Sequence, residues 1–254
     1  GSEMCIRDRT EAITLEQSKL TLSKDITVLS FSDSSMVDRN SSIIKVDSGW
    51  IVYSKNSESS ILSFTSDGQF SGYIGHRGNG PGEYTSVYDV VVNQKSKVLE
   101  VLSDGGIFCY TFGGDFLDKK EVTYPAFSFA IDDRQNYWFY VGNNTTYGDA
   151  KMICTDENIA NVAYYLHQKS NMLPMVENNF GRNGEWLTFH ESLNHDLYTI
   201  ENGKLDLSYA MDFPNYKLPK KLHELSGMEV IEELQRSNYA SIINLSLIHI
   251  SEPT

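Results

Sequence analysis

One segment concentrates the groups that can do recognition chemistry. Residues 75–84 read GHRGNGPGEY. Glycine admits positive φ and close backbone approach, and proline holds φ near about −65°. Gly75, Gly78, Gly80, Pro81 and Gly82 are therefore expected to shape a stiff loop carrying His76, Arg77, Glu83 and Tyr84. Arg77 can clamp a carboxylate or sulfate. Tyr84 can stack on a sugar or an aromatic group. The plainer roles are Glu83 capping loop amides and Tyr84 packing between sheets. No Lys-Ser/Thr follows the glycines, so this is not a P-loop. No βαβ unit follows either, so it is not a dinucleotide fingerprint.

The remaining reactive side chains form no motif. His167, His190, His195 and His223 stand singly, so no metal site is expected from them. Asp132-Asp133 reads as a turn, with too few spaced carboxylates for calcium. Cys109 and Cys154 each sit inside an apolar run and read as small buried hydrophobes. There is no G-x-S-x-G elbow and no assignable serine, histidine and acid triad. No catalytic residue, metal or cofactor is expected.

The elements that must hold the loop are strands. Short apolar or alternating runs recur at Ile26–Phe31, Ser42–Val46, Trp50–Tyr53, Ile61–Phe64, Tyr88–Val92, Val98–Leu102, Ile107–Phe112, Phe127–Ile131 and Tyr137–Val141. Each is bounded by Gly, Asn, Asp or Ser, as strands are. Turn residues at Gly68, Gly114, Asn158 and Gly203 recur at spacings of 46, 44 and 45. A period near 45 residues with about four strands is the signature of a β-propeller. Blades are expected at 42–75, 87–123, 127–167 and 172–213, with part of a fifth from Tyr239. Ile26–Phe31 is expected to complete a final blade. Leu222, Leu225, Met228, Ile231 and Leu234 recur every three residues, which predicts an inserted amphipathic helix over 219–236.

The ends read differently. GSEMCIRDR (residues 1–9) and LSLIHISEPT (residues 245–254) match translations of one transposase adapter from DNA library preparation, read on opposite strands. Such scars are set apart from fold reasoning. The expected organisation is thus 1–9 adapter-derived, 10–244 an all-β propeller fragment, and 245–254 adapter-derived. The end segments are expected to make no blade contacts.

The formal net charge of −13 argues against non-specific nucleic-acid binding, which rests on neutralising phosphates with Lys and Arg. No apolar run is long enough to be a transmembrane segment.

The GHRGNGPGEY segment resembles a signature of six-bladed, NHL-repeat-like propeller proteins of Bacteroidetes, G-x-x-G-x-G-P-G-E-Y. Here Gly75, Gly78, Gly80, Pro81, Gly82, Glu83 and Tyr84 carry it. SDGQF (66–70), YWFYVGNN (137–144) and FPNYKL (213–218) resemble further landmarks of that family. The resemblance implies an exported or cell-envelope protein, often a lipoprotein, and no particular reaction.

The connection from one blade's outermost strand to the next blade's innermost strand lies around the channel mouth of a propeller. His76, Arg77, Glu83 and Tyr84 are thus expected near the binding face. Two functions compete. One is a non-catalytic binding or scaffold propeller of the cell envelope, whose partner is a small molecule, a glycan or a protein. The other is a propeller hydrolase or lyase, lactonase-like, with its site at the channel mouth. The apolar inner strands SIIKV, YDVVV and AFSFAI supply few catalytic groups, which favours binding.

Overall fold

The computed structural model describes residues 5–7, 12–14, 27–30, 41–55, 60–142, 150–167, 178–183, 186–213, 217–225 and 227–236. Two short strands come first, β1 (Cys5–Arg7) and β2 (Ala12–Thr14). The first blade is β3 (Ser42–Val46), β4 (Gly49–Tyr53), β5 (Ile61–Thr65) and β6 (Phe70–Ile74). A two-stranded parallel ribbon follows, β7 (His76–Arg77) with β8 (Glu83–Tyr84). The second blade is β9 (Asp89–Asn93), β10 (Val98–Ser103), β11 (Gly106–Tyr110) and β12 (Phe116–Lys120). The third is β13 (Ser128–Ile131), β14 (Tyr137–Tyr140), β15 (Ala150–Thr155) and β16 (Ala163–His167). The fourth is β17 (Phe180–Asn183), β18 (Trp186–Phe189), β19 (Asp196–Glu201) and β20 (Lys204–Asp212). A 3-10 turn, Lys220–Glu224, and helix α1 (Gly227–Arg236) close the described chain.

Each blade is an antiparallel meander in chain order. The fold is a β-propeller with four blades and one helix, in line with the expected class and blade positions. The expected start of a fifth blade at Tyr239, and residues 245–254, lie outside the described residues. The chain packs as two compact units, Leu22–Phe129, and Gly1–Thr21 with Ala130–Thr254.

The strand alternation explains the cores. In the first unit Ile51, Tyr53, Ile61, Ile74, Tyr84, Val90, Leu99, Val101, Phe108 and Tyr110 form one buried cluster. In the second, Trp138, Tyr140, Met152, Leu187, Phe189 and Tyr198 form another. Burying such side chains contributes roughly 1.5–3 kcal/mol each.

The repeat lies in the turn between the third and fourth strands. Gly68 N–H donates to Thr65 O, Gly114 N–H to Thr111 O, and Ile159 N–H to Asp156 O. A side-chain oxygen then accepts the next amide: Thr65 Oγ1 from Gln69 N, Thr111 Oγ1 from Asp115 N, and Asp156 Oδ1 from Ala160 N. The left-handed residues are Gly68 (φ 87°), Gly114 (φ 99°) and Ile159 (φ 58°). The expected position, Asn158, is thus one residue early. The hydrogen-bond pattern, not residue preference, sets the register, and a β-branched side chain bears the strain.

Within the expected closing strand Ile26–Phe31, Ser30 N–H donates to Gly68 O at 2.8 Å, on the turn of the first blade. Two other expectations are corrected. Cys5–Arg7 does meet a blade, since β1 pairs antiparallel with Ala210–Asp212 at the edge of β20 and with β2. An open strand edge accepts any extended segment through its backbone, whatever that segment's origin.

The second correction concerns the apolar stripe of the helix. A three-residue repeat stays on one face of a 3-10 helix but drifts around an α-helix. Leu222 and Leu225, in or beside the 3-10 turn, pack with Leu193, Val230 and Leu234. Met228 and Ile231, on α1, are exposed.

Candidate functional site

The glycine loop runs from β6 to β9, and most of its polar groups are used internally. Glu83 Oε2 accepts the Gly80 N–H at 2.8 Å, and Gly78 N–H donates to Tyr84 O at 3.0 Å. Tyr84 is buried, and its hydroxyl donates to Ile74 O while accepting Ile61 N–H. Burial holds that hydroxyl above the usual phenol range. Tyr110 meets Tyr84 edge-on at 6.2 Å and donates to Gly82 O at 2.9 Å. Gly75 (φ 63°) faces the Tyr110 ring and Gly82 (φ 75°) faces the Phe116 ring, each too closely for a Cβ. The glycine-rich half is thereby packed on the third and fourth strands of the second blade. Gly78 and Gly80 take ordinary φ and serve instead as space for the Glu83 carboxylate. Pro81 is exposed at the tip.

His76 and Arg77 are the outward members, both exposed on β7. Arg77 Nε donates to Thr85 O at 2.9 Å, tying the guanidinium to the start of the next segment. That segment, Thr85–Tyr88, converges on one acid that sequence reasoning did not single out. Tyr88 Oη donates to Asp104 Oδ1 at 2.5 Å, while Thr85 Oγ1 and Ser86 Oγ each donate to Oδ2 at 2.7 Å. These bonds, Tyr88's foremost, hold the Asp104 carboxyl below its usual range. The same bond raises the Tyr88 phenol.

Two buried acids hold the strand ends. Asp89 pairs with Lys55 Nζ at 3.0 Å, both side chains being more than nine-tenths buried. It also accepts the Tyr53 hydroxyl at 3.4 Å and the Phe129 amide at 3.1 Å. Burial, then Asp89, pushes the Tyr53 phenol well up. In the second unit Glu191 accepts Lys151 Nζ at 3.0 and 3.1 Å, Tyr140 Oη at 3.1 Å and Asn194 Nδ2 at 3.1 Å. A tyrosine ending a second strand, a lysine and a carboxylate thus recur in both units. The signal in the sequence was a charge inside an apolar run, Lys151 in AKMICT, which must find a partner once buried.

Asp132 takes the amides of Arg134 and Asn136, Asn136 Nδ2 and Trp138 Nε1, so it is the acid of a turn. Its four donors occupy the lone pairs a calcium ion would need. His190 and His195 flank one short loop with Glu191, His167 lies exposed on β16, and the His223 side chain is outside the described set. Among the described residues no group of three metal-ligating side chains gathers. Cys109 and Cys154 are free and buried, each thiol raised to about 12 by burial first. No helix among the described residues is long and apolar enough to cross a membrane.

Comparison with known proteins extends the description of the fold. The structure is similar to that of a Bacteroides fragilis protein described as exported, at 15% identity and a TM-score of 0.73, over 85% of this chain and 64% of that one. A member of the DUF4221 family from Bacteroides vulgatus is 8% identical with a TM-score of 0.48, over 72% and 64%. Streptogramin B lyase is 18% identical with a TM-score of 0.48, over 74% and 58%. This chain therefore spans less than two thirds of the length of each of these proteins. At 15% identity the likeness to the Bacteroides fragilis protein is one of fold. No curated protein matches the sequence. Residues 11–248 match the model of the family described as domain of unknown function DUF4934, and the chain belongs to that family.

Proposed function

We propose that this chain is the larger part of a six-bladed, NHL-like propeller of the cell envelope that binds its ligand without chemical change, through the loop beginning at His76. The division of labour within that loop carries the reading. Glu83, Tyr84 and the glycines are committed to internal contacts, whereas His76 and Arg77 are exposed on a backbone held at both ends, with Arg77 Nε also holding Thr85 O. A fixed backbone spares binding the cost of ordering the loop. The period near 45 residues supports a propeller, and the resemblance of GHRGNGPGEY to the Bacteroidetes signature supports the six-bladed, NHL-like type. The Bacteroides relative described as exported, and the family resemblance, support export and a lipoprotein-type anchor.

The test uses glycan and peptide arrays probed with the full chain and with Arg77→Ala. Binding is expected to weaken in Arg77→Ala while the melting temperature stays within about 1 °C, as for a surface change. A variant that loses stability but leaves every array signal unchanged would make the loop purely structural.

A further inference from the structure

We propose that the exposed surface between Asp104 and Arg77, beside this loop, is a subsite for an acidic sugar, a uronate-type unit; the inference rests on the loop being a recognition surface. Thr85, Ser86 and Tyr88 each own one hydroxyl proton, and each directs it at the Asp104 carboxylate. An ionised carboxylate only accepts, and a hydroxyl that has given its proton offers only lone pairs. The cluster is therefore a fixed set of acceptors, and its complement is a set of donors. Asp104 is exposed and the three hydroxyl residues are half-buried, so the cluster reaches solvent. Adjacent hydroxyls on a sugar ring are donors of the right kind.

Arg77 supplies the opposite chemistry beside it. Its Nε bond to Thr85 O places the guanidinium on the very residue whose hydroxyl meets Asp104. A planar carboxylate matches the guanidinium fork. A ligand that satisfies both ends carries ring hydroxyls and a carboxylate together, which a uronate does. The depressed Asp104 carboxyl keeps the acceptor set charged through mildly acidic pH.

Calorimetric titration of the full chain with tetragalacturonate, neutral maltotetraose and tetraglutamate tests this, with melting curves for each variant. Tetragalacturonate is expected to bind about tenfold tighter than maltotetraose, the scale of one charge-assisted contact. Arg77→Ala should bring that ratio towards one. Tyr88→Phe, which keeps the ring but removes one acceptor, should weaken both sugars several-fold while the Arg77 preference survives. Equal binding of the acidic and neutral sugars, or a preference untouched by Arg77→Ala, would overturn the proposal. Arg77-dependent binding of tetraglutamate without tetragalacturonate would remove the sugar and leave the recognition loop standing. Indifference of all three probes to Arg77 would remove both.

Discussion

Gly78 and Glu83 claim one volume: a Cβ on Gly78 would lie 1.9 Å from Glu83 Oε2. The carboxylate sits there because Gly80 N–H donates to it at 2.8 Å. Gly78→Ala must push it off that amide, with an expected loss of about 1–2 kcal/mol in urea unfolding. Glu83→Ala breaks the same bond, so the double variant should cost little more than either single one. Additive losses would mean that the two residues act separately.

Glu191 carries a heavier burden. With Lys151 buried against it at 3.0 Å, Glu191→Ala leaves an uncompensated ammonium inside the fold. The expected cost is about 3–5 kcal/mol by guanidinium denaturation. Lys151→Met with Glu191→Leu removes both charges and should recover most of that loss. A double variant as unstable as Glu191→Ala would show that the charges themselves are needed.

Ile159 holds the left-handed position that glycine occupies at 68 and 114. A left-handed residue with a Cβ costs roughly 1–2 kcal/mol. Replacement by glycine gives some of that back through the freer unfolded chain. Ile159→Gly is thus expected to stabilise by about 0.5–1 kcal/mol. A lower urea midpoint would mean that the isoleucine's packing outweighs its strain.

Cys109 and Cys154 should be inert in the native protein. With both thiols raised to about 12, thiolate is scarce at pH 8, and Ellman's reagent should label neither until urea is added. The measurement is made on a Cys5→Ser background. The folded thiols keep protons that the unfolded chain releases from about pH 9. Stability should therefore decline as pH rises from about 9 towards 12, and less steeply once both cysteines are alanine.

Deleting Gly1–Arg9 removes β1 and its pairing along Ala210–Asp212. If the segment is adapter-encoded, the melting temperature should fall by less than about 2 °C, the size of a sub-kilocalorie change. A loss of several degrees would make it part of the fold.

What was legible in the sequence was local and periodic. Gly68, Gly114 and Gly203 announced three of four turns directly, and the apolar runs placed eight of the sixteen blade strands within a residue or two. The roles of Glu83 as a cap and Tyr84 as packing were also readable from their neighbours in the loop. What stayed hidden depends on partners far along the chain. Lys151 signals that it needs an acid, yet nothing near it names Glu191, 40 residues on. Asp104 is one acid among many until the second blade brings Thr85, Ser86 and Tyr88 onto it. The stripe from Leu222 to Leu234 misled because it crosses from 3-10 to α geometry, where a fixed spacing changes face.

Asp89 gathers groups separated by 36 and 40 residues, Tyr53 on one side and the Phe129 amide on the other. Neither contact forms until a long loop has closed, and each closure is opposed by chain entropy. Such contacts form slowly in folding. They also come apart only when those loops reopen. The Phe129 amide should therefore exchange its hydrogen slowly, on the clock of a large opening rather than of local fraying, and so serve as a single-atom timer for the cooperative unfolding of this part of the chain.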